Sequence, residues 1–355
     1  VLIRAWKEDY SQIFILTDND GNIIWVKNYN DLGFVNFHHY ITTVADKKNT
    51  FTFFCSGIDR ITSVSKSIGI KRIDYEGEVI LEDRNIFANW LLITFNSVIT
   101  KNNGDYILTG YQKASSLDDR EMAFAIDLSY DLSSKQEIVH DILPGEDSRY
   151  TNVLQLDNGD ITICGYSFDI SPTNVTRLHF IQYDAAWSKS LHTTYDMTLI
   201  SYLGYSLHQI QGGNFVHCQL PYFLDDTTDA LISFTFSGNG ELLDTTYIQH
   251  NSYNSFYPQI QNNFKEIVGL ATTGNYPLEE NTLIQPRNYH PSIYSYTYRI
   301  DAIGNLKEKV FIDQSNILPT EFNTISKLSN GKMMLCGRHI SFDGENLLNT
   351  LTIDL

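Results

Sequence analysis

Short runs of alternating apolar and polar residues dominate the chain, and they recur about every 54 residues. Asn103-Gly104-Asp105-Tyr106-Ile107-Leu108-Thr109-Gly110-Tyr111 is repeated as Asn158-Gly159-Asp160-Ile161-Thr162-Ile163-Cys164-Gly165-Tyr166. It returns once more as Asn330-Gly331-Lys332-Met333-Met334-Leu335-Cys336-Gly337-Arg338. Weaker copies lie at 213–220, 265–271, 49–57 and 1–6. Alternation with a period of two, as in Ala230-Leu231-Ile232-Ser233-Phe234-Thr235-Phe236, predicts strands, and no helical period of useful length appears. A fixed repeat of this size predicts one supersecondary unit arrayed radially or in a stack.

Each unit reads as four strands, named a to d from the centre outward. The third unit gives Phe95 to Thr100, Tyr106 to Tyr111, Met122 to Leu128 and Gln136 to His140. The fourth gives Asn152 to Leu156, Ile161 to Tyr166, Leu178 to Tyr183 and Ser190 to Thr194. Strand b recurs near residues 3, 54, 108, 163, 217, 269 and 335. The count predicts an all-β, seven-bladed β-propeller with four-stranded antiparallel blades, a single domain over 1–355. Its first blade lacks strand a and its last lacks strand d. Pairing of Leu348 to Leu355 with N-terminal segments is expected to close the ring and remove exposed edges.

The a–b and c–d turns are tight and carry Asn-Gly or Asp-Gly pairs, where glycine supplies positive φ. The b–c and d–a connections are long, 274–292 the longest. In a meander these two classes lie at opposite ends of the strands. Loops held on a rigid scaffold carry function, so the long-connection face is the expected binding face. Tyr276, Arg287, Tyr289 and His290 of the longest loop, with Tyr222, Phe223 and Arg149, are the candidate binding residues. Aromatic and arginine side chains anchor interfaces and stack on sugars.

The repeat with its turn, followed by Asp18-Asn19-Asp20-Gly21-Asn22 and Ile23-Ile24-Trp25-Val26-Lys27-Asn28-Tyr29, resembles the kelch-like propeller repeats of secreted proteins and lipoproteins of Bacteroidetes-type bacteria. Trp25 alone represents the strand-d tryptophan, and Gln219 stands where strand b elsewhere has glycine. The resemblance implies an envelope or extracellular location and a role in binding proteins or glycans.

Composition narrows the chemistry. With 25 basic against 42 acidic residues the formal charge is −17, which argues against nucleic acid as partner. No apolar stretch is long enough to span a bilayer, so no transmembrane segment is expected. The chain opens inside a strand, at Val1-Leu2-Ile3, so an upstream segment able to carry a lipid anchor is expected. Cys55, Cys164, Cys218 and Cys336 occupy one position of the repeat, in different blades, and read as buried thiols, neither disulfides nor zinc ligands.

Asp18 to Asn22 looks like the start of a calcium loop, but its twelfth position is Tyr29, so a plain hairpin is expected. His38 and His39, like His217 and Cys218, are adjacent on strands and diverge. Asp118, Asp119 and Glu121, and Asp225, Asp226 and Asp229, form acidic clusters in b–c loops that glycosidic chemistry would use. No catalytic residue, metal or cofactor is assigned. The leading expectation is a non-enzymatic interaction scaffold or accessory subunit of a bacterial outer-membrane complex, exported, with other envelope proteins as partners. The alternatives are a glycan-binding propeller in polysaccharide capture and a glycosidase or lyase.

Overall fold

A computed structural model of the protein describes residues 2–6, 12–18, 22–28, 40–45, 49–58, 66–83, 92–113, 120–140, 145–168, 175–197, 200–222, 228–251, 254–262, 264–273, 294–312, 320–328, 330–340 and 346–353. The strands, in chain order, form consecutive antiparallel meanders. The first sheet is β1 (Leu2–Trp6), β2 (Gln12–Thr17) and β3 (Ile23–Asn28). The second is β4 (Tyr40–Ala45), β5 (Phe51–Ile58), β6 (Lys66–Ile73) and β7 (Val79–Asp83). The third is β8 (Leu92–Thr100), β9 (Tyr106–Lys113), β10 (Met122–Leu128) and β11 (Lys135–His140). The fourth is β12 (Asp147–Gln155), β13 (Ile161–Phe168), β14 (Thr176–Tyr183) and β15 (Lys189–Met197). The fifth is β16 (Ile200–Gln209), β17 (Phe215–Tyr222), β18 (Thr228–Phe236) and β19 (Leu242–Asn251). The sixth is β20 (Asn254–Gln261), β21 (Ile267–Thr273), β22 (Tyr294–Ile300) and β23 (Leu306–Phe311). The last is β24 (Thr320–Lys327), β25 (Met333–Ile340) and β26 (Asn346–Ile353).

The expectation of seven four-stranded blades is corrected. The blades are of three to four strands: five sheets are full meanders, and the sheets at the two chain ends have three strands each, short of strands a and d as expected. The expected closing strand pair does not form between the described ends of the chain. Among the described residues β26 pairs with β25 along its length, and β1 pairs only with β2. The end sheets meet instead through side chains: Ile13 and Ile15 of β2 pack against Leu328, Met334 and Cys336.

By internal contacts the chain divides into two compact units. One holds Val1–Val26, Leu199–Gly238 and Leu242–Leu355; the other holds Lys27–Thr198 and Asn239–Glu241. Within each, neighbouring sheets pack face to face. Phe54, Ile68 and Ile70 meet Phe95, Tyr106, Leu108 and Phe124 between the second and third sheets. Ile107, Ala123 and Ala125 meet Tyr150, Ile163 and Tyr183 between the third and fourth. Alternation along each strand makes this possible, since successive side chains serve opposite neighbours.

The repeat's conserved spacing has a packing cause. The innermost strand carries a β-bulge opposite the repeat glycine: at Phe95/Ser97 beside Gly110, at Tyr150/Asn152 beside Gly165, and at Phe322/Thr324 beside Gly337. A Cβ on Gly110 would lie 2.0 Å from the Thr94 carbonyl oxygen, and one on Gly165 2.4 Å from that of Arg149. In the fifth sheet, where Gln219 replaces this glycine, its bulged partner is Gly204. The small residue has moved to the other strand of the pair.

The turns are held by their own side chains. In the a–b turns Gly104, Gly159 and Gly331 have φ of +98°, +92° and +87°. Asn103, Asn158 and Asn330 each accept, through Oδ1, the amide two residues on at 3.0 Å. In the c–d turns an aspartate does the same work. Asp18, Asp74, Asp184 and Asp301 accept the amide four residues on at 2.7–2.9 Å. The calcium-like Asp18 is thus one of a set of turn-closing carboxylates.

Candidate active site

The long-connection ends of the third and fourth sheets bring together charged and aromatic side chains. The frame is built on main-chain amides. The Glu121 amide donates to Asp147 Oδ1 at 2.7 Å, the Ser148 amide to the Glu121 carbonyl at 2.7 Å, and the Ala123 amide to Ser148 Oγ at 3.0 Å. These bonds stitch the head of β10 to the head of β12, so residues on separate blades hold fixed positions.

On that frame Arg149 Nε donates to the Glu121 carboxylate in a charge-assisted contact. Its guanidinium lies 4.2 Å from the centre of the Tyr111 ring and 5.7 Å from that of Phe168. Nη1 is 3.3 Å from the Tyr166 hydroxyl, and Lys113 Nζ is 4.0 Å from Glu121. Glu121 is 9% exposed at its side chain and Arg149 19%. Burial works against the charge of Arg149, but Tyr166, Glu121 and Tyr111 outweigh it and raise its pKa. Burial also pushes the Tyr166 phenol up to about 12.

A second ion pair sits at the head of the fourth sheet. Arg177 Nη1 donates to Glu146, just ahead of β12, and Arg177 Nε lies 3.1 Å from Asp196 Oδ1. Ser167 Oγ donates to the other oxygen of Glu146 at 2.6 Å. Ser167 is 2.9 Å from His179 Nε2, and His179 Nδ1 is 3.0 Å from His192 Nε2. Burial, then His192 and Arg177, lowers the His179 pKa to about 3. Ser167 is fully buried and gives its proton to a carboxylate, so the Ser–His contact is not that of an activated nucleophile.

Of the residues singled out from sequence, Arg149 lies in this cluster. Glu121, from one acidic cluster, is buried and paired with it rather than solvated. Tyr222 ends β17 and Asp229 lies in β18. Phe223, Tyr276, Arg287, Tyr289 and His290 lie outside the described residues, as do His38, His39, Asp118, Asp119, Asp225 and Asp226. His217 is buried, with Nδ1 2.9 Å from the Ser206 carbonyl oxygen. Cys55 lies in β5, and Cys164, Cys218 and Cys336 are buried free thiols on the equivalent strands. Sequence reasoning missed Glu146, Arg177, Tyr111 and Tyr166. The signal for Glu146 was the polar run Glu146-Asp147-Ser148-Arg149 ahead of an inner strand. Among the described residues no group of three metal-ligand side chains converges, and no helix is long and apolar enough to cross a membrane.

No family profile and no curated protein sequence matches the chain. Solved structures do. A GH93 alpha-L-arabinofuranosidase of Fusarium graminearum, in complex with arabinobiose, is 11% identical with a TM-score of 0.55, over 90% of this chain and 94% of that one. A protein of unknown function from Dyadobacter fermentans is 10% identical with a TM-score of 0.54, over 89% and 94%. A puromycin hydrolase is 12% identical with a TM-score of 0.52, over 87% of this chain but 44% of that one. At these identities the likeness shows the fold, an all-β propeller of repeated blades. Arabinofuranosidases stand among these neighbours, and the expectation of a non-enzymatic envelope scaffold is not carried further.

Proposed function

We propose that the protein is a glycoside hydrolase whose site lies at the long-connection ends of the third and fourth blades. The observation that carries this reading is a pair of sheltered, ion-paired carboxylates at these strand heads: Glu121 with Arg149, which faces Tyr111, Tyr166 and Phe168, and Glu146 with Arg177. Glycosidic cleavage needs one carboxylic acid to protonate the leaving oxygen and one carboxylate to stabilise or attack the anomeric centre. Glu121 and Glu146, each against a guanidinium, suit the second role. Asp118 and Asp119, just ahead of Glu121 in the chain, are candidates for the first. Guanidinium donors beside aromatic rings suit sugar hydroxyls and ring faces.

One solved neighbour is an arabinofuranosidase, so arabinofuranosides are the first substrates to try. An exported protein acting on polysaccharide outside the cytoplasm, of the kelch-like envelope type, fits the same reading; cell fractionation tests that part. The purified protein is incubated with arabinan and a panel of aryl glycosides, and released reducing ends are measured. Release by the parent is expected, with kcat lowered about 100-fold or more in Glu121→Gln and Glu146→Gln. Binding without release would leave a glycan-binding propeller, and neither binding nor release would overturn the reading.

A further inference from the structure

We infer that His179 is a positioning residue for Glu146, acting through Ser167 by a one-directional hydrogen-bond chain across the fourth blade. The chain begins on the outer strand with His192 and runs through His179 on β14 and Ser167 on β13 to Glu146 at the head of β12. Its direction follows from its inner end. Arg177 takes one oxygen of Glu146, and a carboxylate has no proton to give, so the Ser167 hydroxyl donates to the other at 2.6 Å. The Ser167 oxygen then has lone pairs only, and His179 must present Nε2–H to it at 2.9 Å. In the neutral ring His179 Nδ1 is then bare and accepts from His192 Nε2–H at 3.0 Å, with Thr194 Oγ1 at 3.3 Å as a second neighbour.

A singly protonated His179 satisfies both contacts, with His192 Nε2–H as the donor to it. Its complete burial favours that neutral form, as do the charges facing it. Arg177 bears on it from its own strand, and His192 from β15, where Lys189 in turn disfavours charge on His192. A second proton on Nδ1 would face His192 Nε2–H donor to donor and reverse the outer link of the chain. Intact, it fixes the carboxylate's rotation from one side while Arg177 fixes it from the other. A carboxylate held at both oxygens is what preorganised chemistry requires. The catalytic consequence rests on the glycosidase reading above; the chain itself does not.

The test has two arms. ¹⁵N–¹H correlation spectra of the intact protein assign the ring tautomers, and ¹³C spectra follow the Glu146 carboxyl. The expected result is His179 protonated at Nε2 alone at neutral pH, with the Glu146 carboxyl resonance moved by Ser167→Ala and by His179→Leu. Should His179→Leu fail to fold, Ser167→Ala, which deletes one hydroxyl, carries the test. His179 protonated at Nδ1, or an unmoved Glu146 signal in folded Ser167→Ala, overturns the inference. In the second arm these variants lower kcat on the order of 10-fold to 100-fold with KM little changed. The expected spectra from a parent that cleaves no glycoside would sink the proposed function and leave the chain standing.

Discussion

One absent methyl group decides how the inner strands bend. Gly110 and Gly165 let a bulged strand approach so closely that any Cβ would meet a carbonyl oxygen of that strand. Backbone cannot swing aside as a side chain can, so Gly110→Ala should cost on the order of 3 kcal/mol, read as a lower denaturant midpoint with unchanged slope. A midpoint within error of the parent would show that the bulge adapts. The glycine was legible in the sequence as a mark of the repeat, but its reason was not, because the atoms it avoids belong to the preceding strand. Buried histidines act at the same scale. Burial lowers the pKa of His217 from 6.5 to about 4, so the unfolded chain takes up a proton that the folded one refuses. Its contribution to stability is complete above pH 6.5 and is lost as the pH falls towards 4, roughly 3 kcal/mol in all. His217→Gln should flatten the slope of unfolding free energy against pH in that window; an unchanged slope would mean that His217 already carries its proton in the fold.

Strands were found where alternation placed them, and their inner limits at the tight turns agree closely. At the other end they run further. Asn152 to Leu156 was expected, and β12 begins at Asp147. Leu178 to Tyr183 was expected, and β14 begins at Thr176. The added residues are polar, paired through main-chain bonds that hydrophobic patterning cannot register, and they are the ones that carry the candidate site. Arg177 was passed over for that reason, and Glu146 because it stands just ahead of the first of these residues. Neighbouring blades are also pinned by polar links that only the fold brings together. Asp127 on β10 accepts from Lys101 Nζ and from Trp187 Nε1 of the next blade, both at 2.8 Å. Asp127→Ala leaves an indole N–H and an ammonium without this acceptor and should cost about 2 kcal/mol. Asp127→Asn, which keeps an acceptor for the indole, should fall between parent and Ala in thermal melts; equal stability of all three would make the link ornamental.

For the molecule as a whole the repeat and the all-β class were legible, and so were the strands missing at the two chain ends, whereas the expected ring of seven four-stranded blades was not borne out. A strand-b motif marks a meander without saying whether four strands surround it, and both end sheets have three. Function was less legible still. The repeat specifies turns, bulges and inter-blade packing, and all three serve architecture. The side chains that suit chemistry sit where the repeat stops, at strand heads and in long connections whose sequences differ from blade to blade.

The a–b turns set how this protein ages. Asparagine followed by glycine is the pair most prone to losing ammonia, because an unhindered glycine nitrogen can close on the side-chain carbonyl carbon. Asn103, Asn158 and Asn330 all precede glycine, yet each has its carboxamide oxygen tied to the amide of the residue beyond. While a blade is closed that tether restrains the side chain; when it opens, the restraint goes. Slow conversion to aspartate at these three sites would therefore accumulate as a chemical record of how often each blade has opened, with every event adding negative charge to a chain already at −17.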